Sequence, residues 1–125
     1  MKHAKSYARE KVIKGLYELK INNSEISTLV KINDPLALQM MIEIKEQETK
    51  LNEYIKKYIK KWSLQEMNPV NIAILHLGVY ELLQKELDSK IVISESIKLA
   101  SEYTDVKSKN FIHYVLDNIN KELHG

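Results

Sequence analysis

The sequence predicts an all-α fold of six or seven helices forming one domain over residues 1–125. Apolar residues recur at three- and four-residue spacing through nearly the whole chain. Three Gly and two Pro in 125 residues leave few turns for a many-stranded fold. The β-branched run Ile91-Val92-Ile93 has no second strand to pair with, so it reads as the entry to a helix.

Ala4, Ala8, Val12, Gly15, Leu16 and Leu19 share one face of a first helix of about five turns, given 3.6 residues per turn. Asn22-Asn23-Ser24 ends it, and Ser24 can cap a short helix carrying Ile26, Leu29 and Val30. Asn33-Asp34-Pro35 opens the next helix, with Asp34 as cap and Pro35 in the first helical position, where its missing N–H is no loss. Apolar positions then run from Leu36 to Trp62, and the interval Glu43 to Lys50 is polar enough that one long helix and two broken ones both fit.

Ser63-Leu64-Gln65-Glu66 reads as a capping box, followed closely by Asn68-Pro69. Val70 to Leu83 is apolar on nearly every side, with Asn71, His76 and Glu81 the main exceptions, and a helix of that kind belongs at the centre of a bundle. Lys85 to Lys90 is a polar connector, and the helix entered at Ile91 runs to Ala100 or Tyr103. Ser108 is the expected cap of the last helix, whose Ile112, Leu116, Ile119 and Leu123 form a stripe at spacings of four, three and four.

Composition narrows function by exclusion. There is no Cys, which removes disulfides, thiolate metal sites and cysteine nucleophiles and makes the cytoplasm the expected compartment. No apolar stretch long enough for a signal peptide core or a membrane span occurs. Residues 1–62 hold 13 Lys/Arg against 8 Asp/Glu, and residues 63–125 hold 6 against 9, so a basic half suited to phosphates precedes an acidic half.

No glycine-rich phosphate loop or metal-ligand spacing is present. His113 and Asp117 stand four residues apart on one helix and are the only candidate acid–base pair; without a third orienting group a surface pair is the plainer reading. The tyrosines at helical spacing read first as core and interface. Lys2, Lys5 and Arg9 align by steps of three and four as a basic edge of the first helix, at the solvent margin, where they can follow a phosphate backbone. Lys56, Lys57, Lys60 and Lys61 form a second basic patch.

Five blocks occur in a telling order: Ala8-Arg9-Glu10 with Leu16-Tyr17, Trp62-Ser63-Leu64, Ala73-Ile74-Leu75-His76-Leu77-Gly78-Val79-Tyr80-Glu81-Leu82, Ile93-Ser94-Glu95-Ser96-Ile97-Lys98-Leu99-Ala100, and Phe111-Ile112-His113-Tyr114-Val115-Leu116-Asp117. Together they resemble the NusB family of bacterial transcription antitermination factors, over essentially the whole chain. The resemblance implies two packed helical subdomains, no enzymatic activity and no cofactor. It also implies binding of single-stranded boxA RNA in nascent ribosomal transcripts, together with the small-subunit ribosomal protein NusE, within the RNA polymerase antitermination complex.

The family's arginine-rich first helix corresponds here to Lys2, Lys5 and Arg9, and Lys107 and Lys109 at the start of the last helix join them as RNA-binding candidates. Glu66, Asn71 and Glu81 are the partner-facing candidates. Several positions depart from the family pattern: Asn71-Ile72 replaces an acidic-basic pair, His76 an arginine, and His113-Tyr114 an Asn-Gly. Two other functions stay open beside this one. One is a protein-only adapter of the same fold, and the other is a helical RNA-modifying enzyme using His113 and Asp117.

Overall fold

The computed structural model describes residues 4–22, 32–59, 64 and 67–124. Six helices account for most of them: α1 (Ala4–Asn22), α2 (Pro35–Glu46), α3 (Glu48–Ile59), α4 (Pro69–Gln84), α5 (Ser89–Tyr103) and α6 (Val106–His124). No strand occurs among the described residues. The helix expected after Ser24 and the capping box at Ser63 lie outside them, as do Lys60 and Lys61.

Local chemistry sets the helix ends. Asp34 accepts the Ala37 amide at 3.2 Å ahead of Pro35, and this bond, with Lys11 at 3.3 Å, holds its carboxyl below the usual range. Asn68 does the same for Val70 at 2.8 Å ahead of Pro69. Between Leu36 and Ile59 the chain forms two helices, parted at Gln47 inside the polar interval. The break is slight, because Gln47 still donates to Glu43 and accepts from Leu51. Asp88 caps α5, so Ile91-Val92-Ile93 is helical as expected. At α6 the cap is Asp105 and not Ser108: the Asp105 carboxylate accepts the Ser108 amide at 2.8 Å. Asp105 stands just before the helix, and the Ser108 amide and hydroxyl together hold its carboxyl below the usual range.

α4 is the centre. Every residue from Asn71 to Leu82 is buried, and the helix packs against all five others. α1 to α3 cover one side of it, and α5 and α6 the other. Gly78 marks the closest approach: a Cβ there would lie 3.0 Å from both Leu116 methyls and 3.1 Å from the Ser96 hydroxyl. α4 and α5 are joined by a short connector entered through Lys85, whose φ of 58° is left-handed. Asn71 meets Ser108 while Leu82 and Lys85 share a small pocket with His124, so α6 runs parallel to α4, and α5 runs antiparallel to both.

Two polar clasps fasten the outer helices. Glu43 of α2 accepts from the Tyr80 hydroxyl at 2.6 Å and from Gln84 at 3.0 Å, both on α4. Glu122 of α6 accepts from Lys57 at 2.8 Å and Tyr58 at 2.7 Å, both on α3. Lys57 also stands 5.2 Å over the Tyr54 ring, so this member of the second basic patch is committed within the fold.

Candidate nucleic-acid interface

Lys5 and Arg9 lie one turn apart on α1, facing the C-terminal end of α4. Arg9 is not at the solvent margin; it is 5% exposed. Its Nε donates to Glu81 Oε1 at 2.7 Å and its Nη2 to Oε2 at 2.8 Å, a two-pronged pair matching the planar fork of guanidinium to carboxylate. Nη1 stands 4.0 Å from Glu95 of α5. The expected solvent edge fails here for a simple reason: Glu81, 72 positions away in sequence, supplies a bidentate carboxylate that lets a cation be buried.

Glu81 is itself 4% exposed, so its carboxylate is spent on Arg9 and is not presented to a partner protein. Lys5 is part-exposed and stands 3.5 Å from Glu86 and 4.0 Å from Glu81. Lys2 and Glu66 lie outside the described residues.

Lys107, exposed, and Lys109, half-buried, are in the first turn of α6. They flank the contact between Asn71 and Ser108, where the Asn71 amide donates to the Ser108 hydroxyl at 3.0 Å. Asn71 is buried, and its carbonyl oxygen has no hydrogen-bond partner among the described residues. The two sets of cations are therefore not adjacent. Lys5 and Arg9 sit at the end of α4 near Glu81, and Lys107 and Lys109 at the end near Asn71, ten residues or about 15 Å along the helix.

His113 is exposed and Asp117 half-buried on α6. Together they line an open groove of about 590 Å³ between α5 and α6, opposite Lys90, Ser94, Lys98 and Ser101. The sequence patterning does not single out this groove, because its lining comes from two helices. His76 is a core residue. Its Nε2 stands 2.6 Å from the Asn52 carboxamide oxygen, and burial pushes its imidazole down to about 4. With an oxygen as acceptor, the ring nitrogen is the donor. No group of three His, Asp or Glu able to hold a metal ion occurs among the described residues.

Comparison with known proteins gives one answer throughout. The chain matches the NusB family over residues 4–121. It is 36% identical over 129 residues to the transcription antitermination protein NusB of a Nitratiruptor species, covering 93% of this chain and 91% of that protein. It is 30% identical over 126 residues to the protein of that name from Methylacidiphilum infernorum, covering 91% and 88%. Among solved structures it is similar to T. maritima NusB, with a TM-score of 0.87 and 30% identity over 98% of this chain and 94% of that one. A chain in a crystal structure of a plectonemic RNA supercoil shares the fold at a TM-score of 0.87 and 23% identity.

Proposed function

The chain belongs to the NusB family, and from that membership we propose that it is a transcription antitermination factor. On this reading it binds boxA-type single-stranded RNA of nascent ribosomal transcripts together with the ribosomal protein NusE, inside the RNA polymerase antitermination complex, and catalyses no reaction. The observation that carries the proposal is the match to the family across residues 4–121, which takes in both the basic first helix and the start of α6.

Within it the cations divide by role. Lys2, Lys5, Lys107 and Lys109 are the phosphate contacts, since lysine is a mobile point charge suited to a backbone. Arg9 holds α1 against α4 and so sets where Lys5 stands, with Glu81 as its buried counter-charge. The acidic balance of residues 63–125, Glu66 among them, favours a basic ribosomal protein as the partner of that half. Among the described residues no helix is long and apolar enough to cross a membrane.

RNA affinity over a salt series, for the chain alone and with NusE, tests the proposal: a steep loss of affinity with salt and tighter binding in the complex are expected. The burial of Arg9 favours a second reading, a protein-only adapter. NusE captured by the chain with no effect of boxA-like RNA establishes the adapter and removes the RNA factor.

A further inference from the structure

Five helices ring α4 in the order α1, α2, α3, α6 and α5, each packed on the next, and the approach of Arg9 to Glu95 at 4.0 Å brings α5 back to α1. The seam between α3 and α6 therefore lies across α4 from α1 and from Lys5. It takes in Lys57, the member of the second basic patch that is tied to α6.

Helical spacing sets two edges side by side along this seam. On α3, Lys50, Tyr54 and Lys57 step by four and three, with Tyr58 next to them; on α6, Tyr114 and Lys121 stand two turns apart, with Glu122 next to them. Glu122 joins the edges, accepting from Lys57 at 2.8 Å and from the Tyr58 hydroxyl at 2.7 Å. That bond holds the Tyr58 hydroxyl above its ordinary value, and Tyr114 is near enough to push the same way. Tyr54 and Tyr58 are fixed by packing on the core, whereas Tyr114 is 46% exposed. Lys50 and Lys121 are exposed, with no ion-pair partner among the described residues.

Rings held in place by the fold offer contact area at little cost in side-chain freedom, and unpaired lysines attract negative charge. The position of Glu122 decides which kind of anion fits. A strand with a phosphate at every nucleotide passes close to like charge in the middle of the seam. A protein segment can set a neutral side chain against Glu122 and carboxylates against the lysines on either side.

We infer that the α3–α6 seam is a docking surface for an acidic segment of a partner protein, with Lys50, Lys57 and Lys121 taking its carboxylates and Tyr54 and Tyr114 an apolar or aromatic side chain. The inference goes beyond the antitermination reading and shares no residue with it.

The test is fluorescence anisotropy of the intact chain with a labelled peptide of Glu-Glu-Phe repeats, its Gln-Gln-Phe counterpart and a labelled uridine tract, with amide shifts recorded by NMR. Wild type should prefer the Glu peptide over the other two, with the largest shifts on α3 and α6. Lys50→Ala/Lys121→Ala should weaken that binding roughly fivefold, as the loss of two exposed charge pairs, and Lys50→Arg/Lys121→Arg should restore it. Tyr114→Ala should weaken it with both lysines in place. The substituted side chains are exposed, and unchanged helical circular dichroism checks the fold. BoxA-like RNA with NusE should bind the double Ala variant as it binds wild type.

No binding of the Glu peptide by wild type, or equal binding by wild type and the double Ala variant, overturns the docking surface. Preference for the uridine tract, lost in the double variant, also overturns it and makes the seam a nucleic-acid surface. Self-association of wild type that the double variant abolishes assigns the seam to a second copy of the chain and overturns it too. If boxA-like RNA fails to bind wild type with NusE, the antitermination reading falls, and peptide binding that depends on the seam still establishes this inference.

Discussion

Arg9 of α1 and Glu81 of α4 form a bidentate ion pair, at 2.7 and 2.8 Å, that is all but closed to solvent. Removing one partner leaves the other as a buried, uncompensated charge. Glu81→Ala should therefore cost about 3–5 kcal/mol, and Arg9→Ala a similar amount. Replacing both residues with apolar ones should cost much less than the sum of the single changes. Urea denaturation of the two single variants and the double variant measures this, and additive losses would show that the pair is not coupled.

Lys5 is part-exposed and its contacts are long, 3.5 Å to exposed Glu86 and 4.0 Å to Glu81, so Lys5→Ala should leave the denaturation midpoint within about 0.5 kcal/mol of wild type. On the proposed function it should still flatten the salt dependence of RNA binding by roughly 0.7. Arg9→Ala should do the reverse: a large stability loss, with the salt slope unchanged at a temperature where the variant stays folded. A slope change in Arg9→Ala equal to that of Lys5→Ala would place Arg9 directly on the RNA.

His76 ties stability to pH. Its folded value of about 4 lies below the ordinary 6.5 because burial disfavours the imidazolium. Between those values the unfolded chain binds a proton that the folded chain does not, so stability rises with pH through the window. The His76 contribution is complete above pH 6.5 and falls away as pH drops toward 4, by up to about 3 kcal/mol at 1.36 kcal/mol per unit. Denaturation midpoints at pH 7 and pH 5 should differ in wild type and differ far less in His76→Gln. Below about 4.5 the Glu43 carboxylate, held low by the Tyr80 hydroxyl, adds a further loss.

Leu75 is completely buried in α4. Leu75→Ala should open a cavity and cost about 2–5 kcal/mol. Gly78→Ala should also destabilise, by overpacking, since the new methyl needs both Leu116 methyls to move. A midpoint shift near zero in Leu75→Ala would mean that the centre of the bundle lies elsewhere.

The helices were legible because their signals are local. Pro35, Pro69 and the apolar spacing from Val70 to Leu83 state where a helix starts and which face it hides, and the structure follows them to within a residue or two. Gln47 was legible only as an alternative, since a break that keeps its hydrogen bonds leaves little trace in composition. The cap at Asp105 was missed because Ser108 and Asp105 are both good capping residues, and the choice depends on where the connector from α5 lets the helix begin. The burial of Arg9 was not legible at all. Nothing within several turns of Arg9 announces Glu81, and helical spacing alone places a basic residue at the margin of an apolar face. The α5–α6 groove was missed for the same reason, being a property of two helices and not of either one.

The placement of α4 decides how the molecule comes apart. Because this one helix touches the other five, neither α1–α3 nor α5–α6 can detach without uncovering it, and no part of the bundle has a private interior to fall back on. Amide hydrogens of α4 should then exchange with solvent only when the whole chain opens, while those at the ends of α1 and α6 exchange through local fraying. A chain cut between Gln84 and Ser89 would yield pieces that need each other to fold, with α4 as the template on which both sides reassemble.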